Sequence, residues 1–193
     1  MSKKNYSYIL GIQSYASHDS GACIIKFDNK NTFVDFVAIS EDRLVRKKHT
    51  YAFPIHSIYS CMKHFNIKSL KEISFLYSDW IKEKKWFRSG PSYNYQIFDY
   101  LKEKFAFNKK NIIQINHHLC HAASTYYTSG FNKSSILIID GLGSDNETHS
   151  IYKAQKHSIK LVESYKHRGI GSLYAAITEK IGLGFGGEGK TMG

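Results

Sequence analysis

The segment Asn116-His117-His118-Leu119-Cys120-His121 holds the densest set of metal-ligand side chains in the sequence. On a helix, residues four apart share a face with Cβ atoms about 6 Å apart, so His117 and His121 can grip one ion between them. His118 projects about 100° away from that face and reads as a supporting or packing residue. No Glu stands between the pair, so the HExxH arrangement of zinc proteases is absent. Two imidazoles need a further ligand. Asp140 is the natural supplier, because it ends the hydrophobic run SSILII and open α/β sheets place ligands at the carboxyl edge of their strands. Two histidines and a carboxylate on one side of a metal suit iron or another divalent cation with open positions. The competing reading is a histidine-rich helix whose rings only pack or face water.

Asp140 is followed at once by Gly141-Leu142-Gly143-Ser144. A Gly-x-Gly turn lets backbone N–H groups approach a phosphate without side-chain obstruction, so Gly141, Gly143 and Ser144 are candidate nucleotide contacts; a tight hairpin turn is the alternative. Near the start, Ser17-His18-Asp19-Ser20-Gly21 sets a histidine beside a carboxylate. His18 there is a candidate general base with Asp19 orienting its ring, against a plain solvent-exposed turn. The run Glu41 to His49 is strongly basic, and Arg43, Arg46 and Lys48 are candidate anion contacts, although most charge runs end as solvated faces. Gly184 to Thr191 matches the GxxxxGK[ST] string of a phosphate loop, but a helix is expected before it and no helix after it. It therefore reads as a glycine-rich loop that leaves Lys190 available to an anion.

These residues need elements to place them. Tyr6–Ile12, Gly21–Phe27 and Thr32–Ser40 are apolar stretches joined by short turns, which predicts an antiparallel meander. Ile55, Ile58, Tyr59, Met62 and Phe65 recur at helical spacing after Pro54. Short strands are predicted at Ile73–Tyr77 and Asn111–Ile115. Between them lie an excursion loop over 80–94 and a helix over Tyr95–Phe105. A helix over His117–Thr128 stops at Gly130. Ser134–Asp140 reads as a fully buried strand. A hairpin of Thr148–Ala154 with Ile159–Tyr165 follows, then a helix over Leu173–Ile181. A meander followed by alternating helices and strands points to an α/β domain of the ribonuclease-H-like kind, the plan of actin-like ATPases and sugar kinases.

At 193 residues the chain is one generous domain or two small ones. Apolar residues make up 42% and charged residues 22%, which excludes a disordered or fibrous protein. The net charge of +11 favours anionic partners, phosphates and nucleotides among them. Nucleic acid is a lower-ranked partner, motivated by that charge and by Trp80, Trp86 and Phe87. No apolar run approaches the roughly 20 residues that span a bilayer, so no membrane partner is expected. The basic lead lacks a cleavage site of small residues, and Cys23, Cys61 and Cys120 are too scattered for a disulfide framework. A reducing cytoplasmic setting is the expectation.

Five motifs in this order resemble the N-terminal part of the O-carbamoyltransferases that modify antibiotics and nodulation factors: ILGIQSYASHDSGACII, SEDRLVRKKHTYAFP, INHHLCHAAS, SILIIDGLGSDNE and GFGGEGKTMG. The family's N-terminal domain is similar to the tRNA threonylcarbamoyl transferases and shares the actin-like ATPase plan. The resemblance implies a reaction in which carbamoyl phosphate and ATP give carbamoyl adenylate in a separate C-terminal domain. The N-terminal domain then passes the carbamoyl group to a hydroxyl acceptor on a glycan or secondary metabolite. It implies that His117, His121 and Asp140 hold a metal, Fe(II) by family pattern, against the adenylate's phosphate, and that His18 is the catalytic base. It also implies that residues 1–193 are a partial N-terminal domain, the first lobe only of the actin-like fold. A further metal-ligating carboxylate and the adenylate-forming domain would then lie outside the chain. On that expectation the chain is inactive alone and needs a separately encoded C-terminal half; the alternative is a metal- and nucleotide-binding fragment without turnover.

Overall fold

Short turns oblige the first strands to pair with their sequence neighbours, and the antiparallel meander follows from that. The computed structural model describes residues 6–13, 19–48, 50, 53–78, 112–166, 169–184 and 186–193. His18, the excursion loop with Trp80, Trp86 and Phe87, and the helix expected over Tyr95–Phe105 lie outside the described residues. The chain divides into two compact units, Met1–Ile115 and Asn116–Gly193. It is a mixed α/β protein. Among the described residues, no helix is long and apolar enough to cross a membrane.

In the first unit, β1 (Ser7–Gln13), β2 (Gly21–Phe27) and β3 (Phe33–Ser40) form the expected meander. Asp28 makes the β2–β3 turn: its Oδ1 accepts from the amides of Lys30 and Thr32, both at 2.8 Å. β4 (Phe75–Ser78) joins β1 in parallel and β5 (Ile112–Gln114) joins β4 in parallel, giving a mixed sheet of order β3-β2-β1-β4-β5. The helix α2 (Ile55–His64) lays Ile58, Cys61 and Met62 on Leu10, Ile12, Ala22 and Ile24. Burial pushes the Cys61 thiol up to about 11, with neighbouring Cys23 adding to the effect, so Cys61 stays an unreactive packing group.

The basic run after β3 begins with a surprise. Arg43, Arg46 and Lys48 are exposed, as a charge run should be, but Glu41 is fully buried. It opens a short helix, α1 (Glu41–Val45), and turns its carboxylate onto the start of α2. Oε1 accepts from the His56 amide at 3.1 Å and the His56 ring at 2.6 Å. Oε2 accepts from the Ser57 amide at 2.7 Å and the Ser57 hydroxyl at 2.6 Å. Pro54 offers α2 no side-chain cap, and Glu41 supplies one from a distant segment.

In the second unit, α3 (His117–Ser129) runs from Asn116 to Gly130, which takes φ 75° to end it. A separate antiparallel sheet follows, of order β6-β7-β8, from β6 (Lys133–Ile139), β7 (Glu147–Gln155) and β8 (Ser158–Lys166). The expected full burial of the SSILIID strand does not hold. Ile136 and Ile138 are buried with Ala122 and Tyr126 of α3, whereas Leu137 is 61% exposed and Ile139 47%. A sheet covered on one face alternates in this way. α4 (Ile170–Lys180) matches the predicted helix. The terminal glycine-rich segment, expected to be followed by no helix, instead forms α5 (Glu188–Met192). Thr191 Oγ1 lies 2.8 Å from Thr178 Oγ1, which pins that turn to α4.

Burial pushes the Glu41 carboxyl up, but the donors from Ser57 and His56 outweigh it and hold it below the usual range. A depressed folded-state value means stability that is present above about pH 4.3, the ordinary Glu value, and lost as pH falls through the folded value. Glu41→Ala is expected to cost the chain about 2–3 kcal/mol at pH 7. Urea unfolding followed by circular dichroism should show that gap narrowing below about pH 4, first as Glu41 of the unfolded chain protonates and fully once the folded carboxylate does.

Candidate metal centre

Asn116 starts the site. Its Oδ1 accepts from the Leu119 amide at 3.0 Å and so caps α3, placing His117 and His121 on one face a helical turn apart. Its Nδ2 donates to Glu147 Oε1 at 2.6 Å and Asp145 Oδ2 at 3.0 Å. The His117 amide donates to Ser144 Oγ at 3.1 Å. Together these fasten the first turn of α3 to the loop between β6 and β7. Glu147, almost fully buried, also accepts from the Asp145 amide through Oε2. A Cβ on Gly143 would fall 2.6 Å from the Glu147 side chain, so a larger residue here would push that hydrogen-bonded carboxylate aside.

That fastening brings three ligand atoms together. His117 Nε2 is 2.9 Å from Asp140 Oδ2, His121 Nε2 is 3.1 Å from His117 Nε2, and His121 Nε2 is 3.6 Å from Asp140 Oδ2. Metal–ligand bonds of 2.0–2.2 Å at tetrahedral or octahedral angles need ligand atoms about 3.0–3.5 Å apart, so the donor set fits a divalent cation. Proton counting points the same way. An imidazole nitrogen carries a proton or a lone pair, not both. One proton on His117 Nε2 cannot serve the carboxylate and His121 equally well, whereas one cation satisfies all three atoms. His121 is 51% exposed, so the centre opens to solvent on that side.

Asp140 is suited to hold charge there. Burial pushes its carboxyl up, but hydrogen bonds from His117, His121 and the Gly141 amide hold it well below the usual range. The Gly141 amide donates to Oδ1 at 2.6 Å. The first turn of α4 also packs on this strand end: a Cβ on Gly171 would fall 2.5 Å from the Asp140 carbonyl oxygen, and Ser172 Oγ donates to the Gly141 carbonyl at 3.1 Å. The positive end of α4 therefore lies beside an anion.

The structure thus brings His117, His121 and Asp140 together. Gly141, Gly143 and Ser144 lie beside them, but the groups expected to face a phosphate have partners within the chain. The Gly141 amide bonds Asp140, the Gly143 amide bonds the Glu147 carbonyl at 2.6 Å, and Ser144 Oγ accepts from His117. Lys190 is exposed on α5. Arg43, Arg46 and Lys48 are exposed in the first unit. Sequence reasoning passed over Asn116, Glu147 and Gly171. An Asn directly before a helical histidine pair was a capping signal, and Gly-x-Gly-Ser opening a helix marked a close backbone approach.

A family model described as "Carbamoyltransferase N-terminus" matches residues 64–193, well over half of the chain. An uncharacterised protein of Synechocystis sp. is 27% identical over 220 residues, covering 97% of this chain and 34% of its own length. An uncharacterised protein of Methanocaldococcus jannaschii is 33% identical over 91 residues, or 39% of this chain and 15% of that one. Nodulation protein NolNO of Sinorhizobium fredii is 25% identical over 190 residues, or 91% of this chain and 27% of that one. The chain spans about a third or less of the length of these relatives. Among solved structures, YeaZ from Pseudomonas aeruginosa aligns with a TM-score of 0.47 at 10% identity, over 82% of this chain and 65% of that one.

Gly171→Ala drives a methyl group into the Asp140–Gly141 backbone and is expected to destabilise the chain by about 1–3 kcal/mol. Gly141→Ala meets nothing within 4 Å and should stay within about 0.5 kcal/mol of wild type in the same denaturant titration.

Proposed function

The chain belongs to the carbamoyltransferase N-terminus family, and on that premise we propose that it is the N-terminal portion of an O-carbamoyltransferase. Its reaction would pass a carbamoyl group from carbamoyl adenylate, made from carbamoyl phosphate and ATP, to a hydroxyl of a glycan or secondary metabolite. The observation that carries the reading is the convergence of His117, His121 and Asp140, whose ligand atoms all lie within 4.8 Å of one another. When bound there, a divalent cation, Fe(II) by family resemblance, supplies positive charge against the phosphate of the leaving nucleotide.

The chain's own residues supply the rest. Asp140, kept ionised by its donors, gives the centre its anionic ligand. Ser144 and Asn116 hold the α3 turn in place, and Gly143 lets the loop lie against the Glu147 side chain. Lys190 and the exposed Arg43, Arg46 and Lys48 are proposed as contacts for phosphate oxygens. His18 is proposed as the base that takes the acceptor's hydroxyl proton, a role that typically contributes 10²–10⁴-fold. The adenylate-forming step would belong to a C-terminal portion, in the same or a separate chain. The β3-β2-β1-β4-β5 sheet supports a first lobe of the actin-like plan. The β6–β8 meander repeats the order of β1–β3 and supports the opening of a second lobe, which goes beyond the single lobe anticipated from sequence.

The test supplies an adenylate-forming carbamoyltransferase domain in trans with ATP, labelled carbamoyl phosphate, Fe(II) and a panel of hydroxyl acceptors. Labelled acceptor is the expected product, and His121→Ala or Asp140→Asn should lower its rate by ~10²–10³-fold. Metal and nucleotide binding with no product from any acceptor would favour a non-catalytic binding role instead. His121→Ala that retains metal and full activity would remove the basis of the proposal.

A further inference from the structure

The His117–His121–Asp140 centre leaves one neighbouring group unexplained. His118 is fully buried, its Nδ1 lies 2.7 Å from Ser150 Oγ, and its Nε2 has no hydrogen-bond partner. That orphan nitrogen is 3.8 Å from Asp140 Oδ2. A buried donor left unsatisfied is costly, and its placement demands a reason. The sequence left His118 as a supporting or packing residue because it leaves the His117–His121 face; the fold brings its ring to the same carboxylate.

The reason emerges from a count of donors on Asp140. As the structure stands, Oδ2 is served by His117 Nε2 at 2.9 Å and Oδ1 by the Gly141 amide at 2.6 Å. A cation at the centre claims the lone pairs of His117 and His121, so His117 Nε2 can no longer carry a proton to Oδ2. His118 Nε2 is a buried, unpartnered atom 3.8 Å from that oxygen, and an approach of about 1 Å makes the contact a hydrogen bond. Its tautomer is also set. With the proton on Nδ1, a bare Nε2 lone pair would face an anion; with Ser150 donating to Nδ1, Nε2–H faces it instead. We infer that His118, locked by Ser150, is a positioning residue that takes over Asp140 Oδ2 when the centre is loaded and orients that carboxylate on the cation. This rests on the metal reading above and extends it.

The test titrates Co(II) into the purified chain and its variants, following visible absorption. His118→Leu should bind the same single equivalent about 10–100-fold more weakly, the usual cost of losing a partner that orients a ligand. His118→Gln, which retains an N–H donor, should recover most of that loss. Wild-type affinity in a folded His118→Leu would overturn the inference while the cation site stands, and so would a His118→Gln no better than His118→Leu. Absence of Co(II) binding by the wild type would overturn the metal reading itself. Should His118→Leu fail to fold, Ser150→Ala carries the test, with a smaller loss of affinity expected and unchanged affinity overturning the inference. Long-range ¹⁵N–¹H spectra of the wild type give a readout that packing alone would not move: a proton on Nε2 is expected, and one on Nδ1 would overturn the inference.

Discussion

Three acceptor-bearing atoms held within 3.6 Å of one another, with too few protons to go round, are the constraint on which the second unit turns. Such a cluster is unstable unless something fixes each member. The fixing is done by backbone geometry at both ends. Asn116 caps α3 and ties its first turn to Glu147 and Asp145, and α4 closes on the Asp140 strand end so tightly that only glycine fits at 171. The polar groups around the centre serve mainly to prevent the three ligands from moving apart.

The same device recurs in the first unit with different residues. Glu41 and Glu147 are both buried carboxylates at a strand boundary; Glu41 commits both oxygens to the start of α2, and Glu147 gives Oε1 to Asn116 at the start of α3 and Oε2 to the Asp145 amide. Glu41 accepts directly from the first amides of α2, which has no cap of its own. Glu147 acts one step removed, by holding the asparagine that caps α3. A buried carboxylate without partners would cost several kcal/mol, so these two are tolerable only because each oxygen is spoken for. Helix direction in both units is thereby set by ionic hydrogen bonds as well as by apolar packing.

How much of this was legible in the sequence depends on the range of the interaction. His117 and His121 were readable because helical spacing is local, and Asp140 because a strand's carboxyl end is a local boundary. The meander, the Pro54 helix and the Gly130 stop were readable for the same reason. Glu41 was not: its partners are 15 and 16 residues away, and in sequence it is only the first letter of a charge run. His118 was readable only as a supporting or packing residue, because helical angle says which way a ring leaves α3, not which strand it meets. The β6 strand misled because its composition is that of a two-sided core strand, whereas only α3 covers it within its own unit.

Charge marks the limit of composition as an argument. A net charge of +11 raises the local concentration of any anion and quickens its arrival, but it falls off over a Debye length and does not select among phosphates. Selection needs short-range geometry. In the second unit the nearby carboxylates are opposite in sign to the chain's overall charge: Asp140, Asp145 and Glu147 crowd the mouth of α3. Such a pocket repels a bare phosphate and attracts a cation. On the proposed function, a cation held there would reverse that local sign, and short-range geometry rather than overall charge would then decide whether a phosphate could approach.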